Sequence, residues 1–332
     1  MKLLIIFLFI THSLFAFSLK EKFQDAEAGT YVVTSQNQTT TLLHLHTKNG
    51  NQLLFEEISI PSHQTQGIEW KKWPLRGAPG HTSWILYELD LDQNRITESY
   101  SLSRKSWVPT DEMEAFLIPL INLNLDFLSE ELRMQKGPTQ TPGKIDRKPW
   151  GPPQVIHGEQ VKDPEYDVYT TCWPYDNTDL AGKPLVLYFN KGKTNFPFPY
   201  WIQGREGAIK FKIRAVDSGT NMISLTTTIP RRPPVFIDSV KRQNGCVSLT
   251  LNIPTYYKHF SLYAIDITEN PRLTHVIPYE IERHKEVASL SIDERKLSTI
   301  FTHGHEYLWI LSSDAPEAFC ESPHLFKWIS KS

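Results

Sequence analysis

Histidines at alternating positions occur twice in this chain of 332 residues, a spacing compatible with metal binding. His44 and His46 lie in a run with strand character, and His303, His305 and Glu306 form a second group. Alternate residues of a strand point to the same face, so each group could supply two ligands to one ion. Zinc takes three or four ligands, and neither group supplies the remainder. We predict no metal site and no cofactor, with the first pair on an exposed strand face and the second in a turn.

Residues 215–220 contain an acidic motif that could support catalysis. Their sequence, Ala-Val-Asp-Ser-Gly-Thr, resembles the active-site loop of aspartic proteases, where two aspartates share a proton and activate water. No second Asp-Ser/Thr-Gly occurs in the chain, although a second copy of the chain could supply one, and Arg214 stands where an apolar residue is usual. We expect Asp217 to lie in a turn in which Gly219 takes a positive φ, and we assign no catalytic residue.

Other functional classes lack their usual signatures. The sequence contains no G-x-S-x-G, no glycine-rich phosphate loop and no H-E-x-x-H. Its 35 basic and 37 acidic residues give a formal net charge of −2 without a long block of one sign. Nucleic-acid binding is therefore not expected, because it requires a basic surface. Three cysteines without C-x-x-C spacing argue against a disulfide scaffold and a thiolate zinc site.

Residues 1–18 have the features of a secretory signal peptide. Lys2 supplies a positive charge, residues 3–17 are mainly apolar, and Ala16 and Ser18 are small residues near the expected cleavage point. A membrane-spanning helix needs about 20 apolar residues, and this run is shorter and interrupted. We predict cleavage near Ser18, with retention as an anchor as the alternative, and no transmembrane span after cleavage. The mature chain is then exported: periplasmic, on the cell surface or secreted.

Residues 19–135 are predicted to form an antiparallel β-meander followed by a helix. Apolar and β-branched residues alternate with polar ones in five runs, and Asn49-Gly50 and Asp92-Gln93-Asn94 are turn sequences between them. The five runs are residues 30–34, 40–46, 53–60, 83–90 and 95–102.

After residue 110 the apolar period changes to about 3.6, which predicts a helix. Asp111 and Glu114 suit its start, Pro119 should kink it, and Gly137-Pro138 should end it. Because its polar side is acidic, we expect it to pack across the meander; the alternative is a helix that binds a membrane surface or a partner. Such a closed meander could form a cup for an apolar ligand. Candidate lining residues are Trp70, Trp73, Trp84 and Trp107.

Residues 136–151 are rich in proline, glycine and polar residues and are predicted to be a linker. The segments that follow it, 152–230 and 231–332, each begin near a proline pair and continue through short β-rich runs. In the second segment, seven short runs in about 100 residues are typical of an Ig-like sandwich. The seven runs are residues 235–240, 247–252, 259–267, 275–281, 287–292, 305–312 and 324–329.

Phe301-x-x-Gly304-x-x-Tyr307 resembles the tyrosine corner of fibronectin type III domains, and residues 209–221 are similar to a frequent ending in that family. The first segment lacks a corner tyrosine, and the family's usual strand-B tryptophan is missing. The resemblance implies a mainly β fold: the meander with one kinked helix (α+β), then two Ig/fibronectin-III-like β-sandwiches with a binding or spacing role. In that topology Cys246 and Cys320 lie at opposite poles, so we predict no bond between them.

Residues 195–201 form the densest aromatic stretch of the chain. If they are exposed at a module edge, Phe196, Phe198, Tyr200 and Trp201 are candidate binding residues, because such side chains stack on sugars and act as protein hot spots. The alternative is packing against the neighbouring module.

These features predict an exported, non-enzymatic binding or scaffold protein that acts through its β-sandwich modules and its α+β head. Its expected partner is a protein or glycan at the cell surface or in the periplasm. One alternative is a secreted hydrolase with its site near His44, His46 and His81 in the head. The other is a carrier that holds an apolar ligand in the head's cup.

Overall fold

The computed structural model describes residues 17–139, 141, 147–192, 195–204, 211–225, 228–238, 240–313, 315 and 318–330. The chain divides into two compact units, Met1–Ile229 (unit 1) and Pro230–Ser332 (unit 2). The described residues are mainly β, with several antiparallel sheets and three α-helices, which confirms the predicted mainly β fold. The predicted signal peptide lies largely outside the described residues.

Unit 1 is built on one antiparallel sheet of eleven strands, with two hairpins outside it. The strands are β1 Tyr31–Gln36, β2 Thr39–Asn49, β3 Gln52–Pro61, β4 Ser83–Asp90, β5 Arg95–Ser101, β6 Ser106–Trp107, β7 Asp126–Phe127, β8 Gln135–Thr139, β9 Arg147–Pro149, β10 Val155–Ile156, β11 Glu159–Gln160, β12 Tyr166–Cys172, β13 Pro184–Asn190, β14 Trp201–Gly204 and β15 Lys212–Gly219. The order in the sheet is β6-β5-β4-β3-β2-β1-β15-β14-β13-β12-β7, and the hairpins are β8/β9 and β10/β11. Its helices are α1 Leu19–Asp25 and α2 Asp111–Ile121, and its single 3-10 turns are Ser62–Gln64, Trp70–Lys72, Pro74–Arg76 and Glu130–Leu132.

The predicted meander corresponds to β1–β5, one strand for each of the five runs. Gly50 lies in the turn between β2 and β3 with φ of 59°, and Asn94 lies in the turn between β4 and β5 with φ of 49°. Glycine and asparagine tolerate this left-handed conformation, so the local turn sequences direct both hairpins.

The strands of residues 152–230 extend the meander's sheet and do not form a separate sandwich among the described residues. β1 pairs with β15, placing Val32 opposite Ser218, and β12–β14 continue the sheet beyond β15. The predicted linker, 136–151, therefore lies inside unit 1 and contributes to the β8/β9 hairpin. Free strand edges present unpaired backbone groups, and the β1–β15 pairing satisfies two such edges at once.

Helix α2 is shorter than the sequence predicts. It starts at Asp111, as expected, but ends at Ile121, and residues beyond it form β7 and a 3-10 turn. Pro119 lacks the N–H that the helix ladder needs, and the Asn122 side chain donates to the carbonyl of Ile118. Glu114 does not close a capping box, because its carboxylate accepts the backbone N–H of Ile96 in β5 (2.7 Å). This bond ties the start of α2 to the sheet.

The large sheet of unit 1 carries a hydrophobic core on each face. The first core, which α1 and α2 cover, contains Leu45, Phe55 and Tyr87 together with residues of β12–β15. The second core contains Val33, Leu42, Ile58, Trp73 and Trp84. Side chains alternate between faces along a strand, so β1–β4 contribute to both cores.

Unit 2 consists of two antiparallel sheets whose buried residues form one core. The strands are β16 Val235–Phe236, β17 Lys241–Gln243, β18 Cys246–Asn252, β19 Phe260–Asp266, β20 Leu273–Ile277, β21 Glu280–His284, β22 Val287–Asp293, β23 Glu306–Ser313, β24 Phe319–Glu321 and β25 Phe326–Lys327, with the short helix α3 at Glu294–Ser298. One sheet has the order β16-β18-β22-β21, with β17 pairing β18; the other has the order β20-β19-β23-β24, with β25 pairing β23. Each of the seven predicted runs overlaps an observed strand.

Two details of unit 2 match sequence expectations. The buried Tyr307 hydroxyl accepts the backbone N–H of Thr302 (2.8 Å), so this tyrosine bonds to the chain shortly before it. Cys246 opens β18 in one sheet, Cys320 lies in β24 of the other, and both are free thiols.

Candidate ligand cavity

Unit 1 contains a cavity of about 310 Å³ between one face of the sheet and the two helices that cover it. Leu19 and Phe23 of α1, Met113 and Leu117 of α2, and the segment 197–199 form its outer wall. Strands β1–β4, β14 and β15 form the floor. Small-molecule sites are typically about 300–1,000 Å³ and mostly apolar, with few polar groups, so the cavity is of suitable size and chemistry for a small ligand.

Strand register explains which side chains reach the floor. Val32, Leu43, Glu57 and Ile85 are directly opposite one another across β1–β4 and therefore share one face. Val32, Leu43 and Glu57 line the cavity. A glutamate thus occupies a position whose cross-strand neighbours are all apolar.

Aromatic rings form a continuous row beside this position. Tyr87 stacks on Phe55 with ring centroids 5.3 Å apart, Phe55 meets Phe23 edge-on at 5.5 Å, and Phe23 meets Phe198 edge-on at 5.7 Å. Such stacked and edge-to-face contacts are favourable geometries for aromatic side chains. The row connects β4, β3, α1 and the segment before β14.

Glu57 is the most unusual residue of the cavity. Among the described residues, its carboxyl group has no hydrogen-bond or ion-pair partner, whereas the four buried acids Glu56, Asp90, Asp217 and Asp266 each have two or more. Burial raises the pKa of the Glu57 carboxyl, because the charged form loses its hydration. Burial also raises the pKa of the Tyr87 hydroxyl, and the nearby charge of Glu57 adds to that effect. The sequence prediction did not include Glu57.

The four predicted aromatic binding residues are buried in the first core and do not form an exposed edge. Phe196, Phe198, Tyr200 and Trp201 each keep 8% or less of their surface accessible. Phe196 stacks on Tyr200, and Phe198 lines the cavity. Phe198 meets Phe23 of α1 edge-on, and all four rings pack among the residues of the first core.

The four tryptophans predicted to line a cup do not line this cavity. Trp73 and Trp84 belong to the second core, Trp70 packs against that core, and Trp107 is exposed beside Tyr100. The cavity lies on the face of the sheet opposite to Trp73 and Trp84, and α1 is an unpredicted part of its wall.

The histidines of the hydrolase hypothesis lie near a buried acid on the second face. His44 is buried, contrary to the expected exposed strand face, because its side of β2 packs on the second core. His44 Nδ1 bonds Glu56 Oε2 (2.9 Å), and Trp84 Nε1 and Ser224 Oγ donate to Glu56 Oε1 at 2.9 and 2.5 Å. The serine thus bonds to the acid and not to the histidine, unlike the nucleophile of a catalytic triad.

His46 and His81 do not complete a catalytic arrangement with this pair. The ring of His46 lies 5.3 Å from that of His44, measured between centroids. His81 Nδ1 is 2.8 Å from the carbonyl oxygen of Ala78, and its ring meets Trp84 edge-on. Hydrogen bonds such as those of His44 and His81 are typical of structural polar groups in a protein interior.

Asp217 lies in strand β15 and not in the predicted turn, and Gly219 does not have a positive φ. Its Oδ1 accepts the N–H of Gly158 (2.9 Å), and its Oδ2 accepts the Tyr31 hydroxyl (3.3 Å). Burial raises the pKa of this carboxyl. The pairing of β1 with β15 places this motif in the sheet. The two hydrogen bonds of Asp217 then connect the β10/β11 hairpin to the sheet.

His303 and His305 lie before β23, in the expected turn. His305 Nδ1 bonds Asp266 Oδ2 (2.7 Å), and Glu269 Oε1 lies 4.0 Å from the same nitrogen, so these three groups have the spacing of a metal site. Asp266 Oδ1 already accepts the N–H groups of Thr268 and Glu269. Both oxygens of the Asp266 carboxylate therefore already have partners within the protein. His303 bonds Ser330 and does not join this group.

Two open depressions, each of about 710 Å³, are larger than the cavity but more polar. One, in unit 2, is lined by residues such as Asp293, Glu294 and Ser298 that already have partners in Arg295 and Arg242. The other borders the β8/β9 hairpin, where Lys148 pairs with Asp163 and Lys136 lies over the ring of Trp150. Polar groups that already have partners gain less free energy from bonding to a ligand, so the smaller cavity is the better candidate for a ligand site.

Within the described part of the chain, no helix has the length and apolar character that a membrane crossing requires.

Residues 41–162 match a family model described as "CT021 protein". This segment includes β3–β11 and α2 and overlaps most of β2. The chain is also similar in structure to the hypothetical protein CT021 from Chlamydia trachomatis, solved at 2.0 Å resolution, with 16% sequence identity and a TM-score of 0.48. That similarity covers 65% of this chain and 98% of the other. A comparison with curated proteins gave no match. Neither description names an activity, substrate or partner.

Proposed function

We propose that this protein is an exported carrier that binds a small, mainly apolar ligand in the cavity of unit 1. The observation that carries the proposal is a cavity of about 310 Å³ with apolar walls and one carboxyl group that lacks a partner among the described residues. Export rests on the signal-like residues 1–18.

Several features support a carrier over an enzyme. The cavity is lined mostly by aliphatic and aromatic side chains, and its polar members are Thr34, Gln36, Thr41, Glu57 and Tyr87. Acid–base catalysis commonly needs a second group of matched pKa near the first, and raised pKa values leave Tyr87 protonated at neutral pH. A site of this composition holds a ligand more readily than it transforms one.

For unit 2 we propose a binding or spacing role like that of fibronectin type III modules. Two features support this resemblance: the hydrogen bond between Tyr307 and Thr302, and the packing of two sheets around one core. A protein or glycan at the cell surface or in the periplasm is the proposed partner of this unit.

Titration with N-phenyl-1-naphthylamine, an uncharged probe that fluoresces in apolar surroundings, tests the carrier function. We expect saturable binding by the purified protein. Leu117→Trp should fill the cavity from α2 and weaken probe binding by about tenfold or more, which corresponds to ~1.4 kcal/mol. Leu75→Trp, at an exposed position outside the cavity, is the matched control and should bind as the unmodified protein does.

Thermal unfolding of both variants establishes that they fold. Non-saturable fluorescence, or equal probe affinity of a folded Leu117→Trp variant and the unmodified protein, would contradict a binding role for the cavity.

A further inference from the structure

The charge in the cavity lining is of one sign. Glu57 is the one acidic residue among the described lining residues, and none of them is lysine, arginine or histidine. A bound carboxylate, sulfate or phosphate would meet no cation there and would approach the Glu57 carboxylate. Like charges within about 4–6 Å disfavour one another, most strongly where water is excluded. The lining thus selects against anionic amphiphiles.

The same lining favours a cation. Charges with restricted access to water are normally paired or hydrogen-bonded, and the half-buried Glu57 has no such partner among the described residues. An ammonium group supplies a charge and hydrogen-bond donors at once, and such charge-assisted bonds are the stronger kind. The Tyr87 ring adjoins this carboxyl and contributes an aromatic face to the cavity, where cations are also stabilised.

We infer that the cavity selects an amphiphile with a protonated amine at its polar end, held with its ammonium group against the Glu57 carboxylate. The apolar part of the ligand then lies among Phe23, Leu117, Leu120 and Phe198. This inference rests on the proposed carrier function and adds the chemical class of the ligand. Uncharged apolar molecules of the same size bind more weakly, and fatty acids bind most weakly.

Displacement of the bound naphthylamine probe by eight-carbon compounds tests the inference, because octylamine, octanol and octanoate differ mainly in their polar ends. At neutral pH we expect octylamine to displace the probe at a concentration about tenfold or more below that of octanol, as charge-assisted bonds predict. Octanoate should be the weakest competitor.

Glu57→Gln should reduce the advantage of octylamine over octanol to about twofold or less. Glu88→Gln is the matched control, because Glu88 lies on the neighbouring strand β4 but is exposed and outside the lining. It should retain the full preference for the amine. Equal displacement by amine and alcohol in the unmodified protein would overturn the inference and leave the carrier function standing, whereas absence of saturable probe binding would overturn the carrier function itself.

A pH series on the unmodified protein gives a second test that needs no variant. The groups that face Glu57 from β2 and β4 are Leu43, Ile85 and Tyr87, and the lining residues of α1, α2, β14, β15 and segment 197–199 do not titrate. Protonation of Glu57 should therefore lower octylamine affinity as the pH falls, with octanol affinity unchanged. Parallel pH curves for the two compounds would overturn the proposed role of Glu57.

Discussion

Glu56 and Glu57 are adjacent in β3, yet their carboxyl groups belong to opposite faces of the sheet. Glu56 is fully buried and bonds His44, Trp84 and Ser224, whereas Glu57 lines the ligand cavity and has no such partner among the described residues. The two-residue period of a strand separates these neighbours. One carboxyl therefore fastens the second core, and the other is left available to a ligand.

Glu57 should make the stability of the ligand-free protein depend on pH. Its pKa is raised in the folded state, so above the ordinary value of 4.5 the unfolded chain loses this proton while the folded chain retains it. The free energy of unfolding should then fall as the pH rises from about 4.5 through the raised folded pKa, since the folded state binds more protons in this window. Glu57→Gln has no such proton to lose, so the variant's free energy of unfolding should lack this fall with pH.

Urea unfolding across the pH range checks this prediction, with Glu88→Gln as the control that keeps the original slope. If the free energy of unfolding depends on pH in the same way for Glu57→Gln and the unmodified protein, the pKa of Glu57 is not raised in the folded state.

Removing Glu56 should destabilise the protein. Glu56→Ala leaves His44, the Trp84 indole N–H and the Ser224 hydroxyl without their acceptor, and each buried polar group left unsatisfied costs ~1–3 kcal/mol, so the loss should exceed that of any single bond. Ser224→Ala removes a single bond to the carboxylate and should cost less, ~1–3 kcal/mol. Equilibrium unfolding in urea measures both losses. Similar stability of Glu56→Ala and the unmodified protein would show that the cluster does not hold the second core.

Gly219 should not tolerate a side chain. A Cβ at this position would lie 2.6 Å from His157 Nδ1 and 2.8 Å from Tyr31 Cε1, both too close for normal contact. Gly219→Ala should therefore displace the β10/β11 hairpin and destabilise unit 1 by ~1–3 kcal/mol.

Combining Gly219→Ala with His157→Ala tests the cause of that loss. The double variant should recover part of the stability, because one of the two clashes is gone, and a double-mutant cycle gives the coupling. Strictly additive losses would mean that His157 is not the obstructing group.

The three cysteines should differ in reactivity. Cys172 is exposed, and burial raises the pKa of the Cys320 thiol to about 12, so little thiolate forms there at neutral pH. Iodoacetamide should modify Cys172 first and leave Cys320 nearly unmodified in the folded protein, as peptide mapping by mass spectrometry can measure. All three should react in denaturant, which serves as the control. Rapid modification of Cys320 in the native protein would contradict its burial.

Local signals account for the parts of the fold that the sequence predicts well. β1–β5 follow from alternation and from turns such as Asn49-Gly50, since a hairpin joins segments that are close in the chain. The adjacent residues Glu56 and Glu57 also indicated an unusual polar position, which the sequence prediction did not include. In a strand buried on both faces, two adjacent carboxyls must point into two different cores, and one of them then needs a special explanation.

The sequence by itself therefore determined the mainly β character, the strand positions of the meander and of unit 2, the start of α2 and the lack of common catalytic signatures. Only the tertiary structure decided that β15 pairs with β1, which turns an expected second module into the continuation of one sheet. It also decided that Phe198 is buried and that Glu57 lies in a cavity without a partner among the described residues. These outcomes depend on contacts between segments far apart in the chain, and neither periodicity nor local turn chemistry specifies which distant strand edges and faces meet.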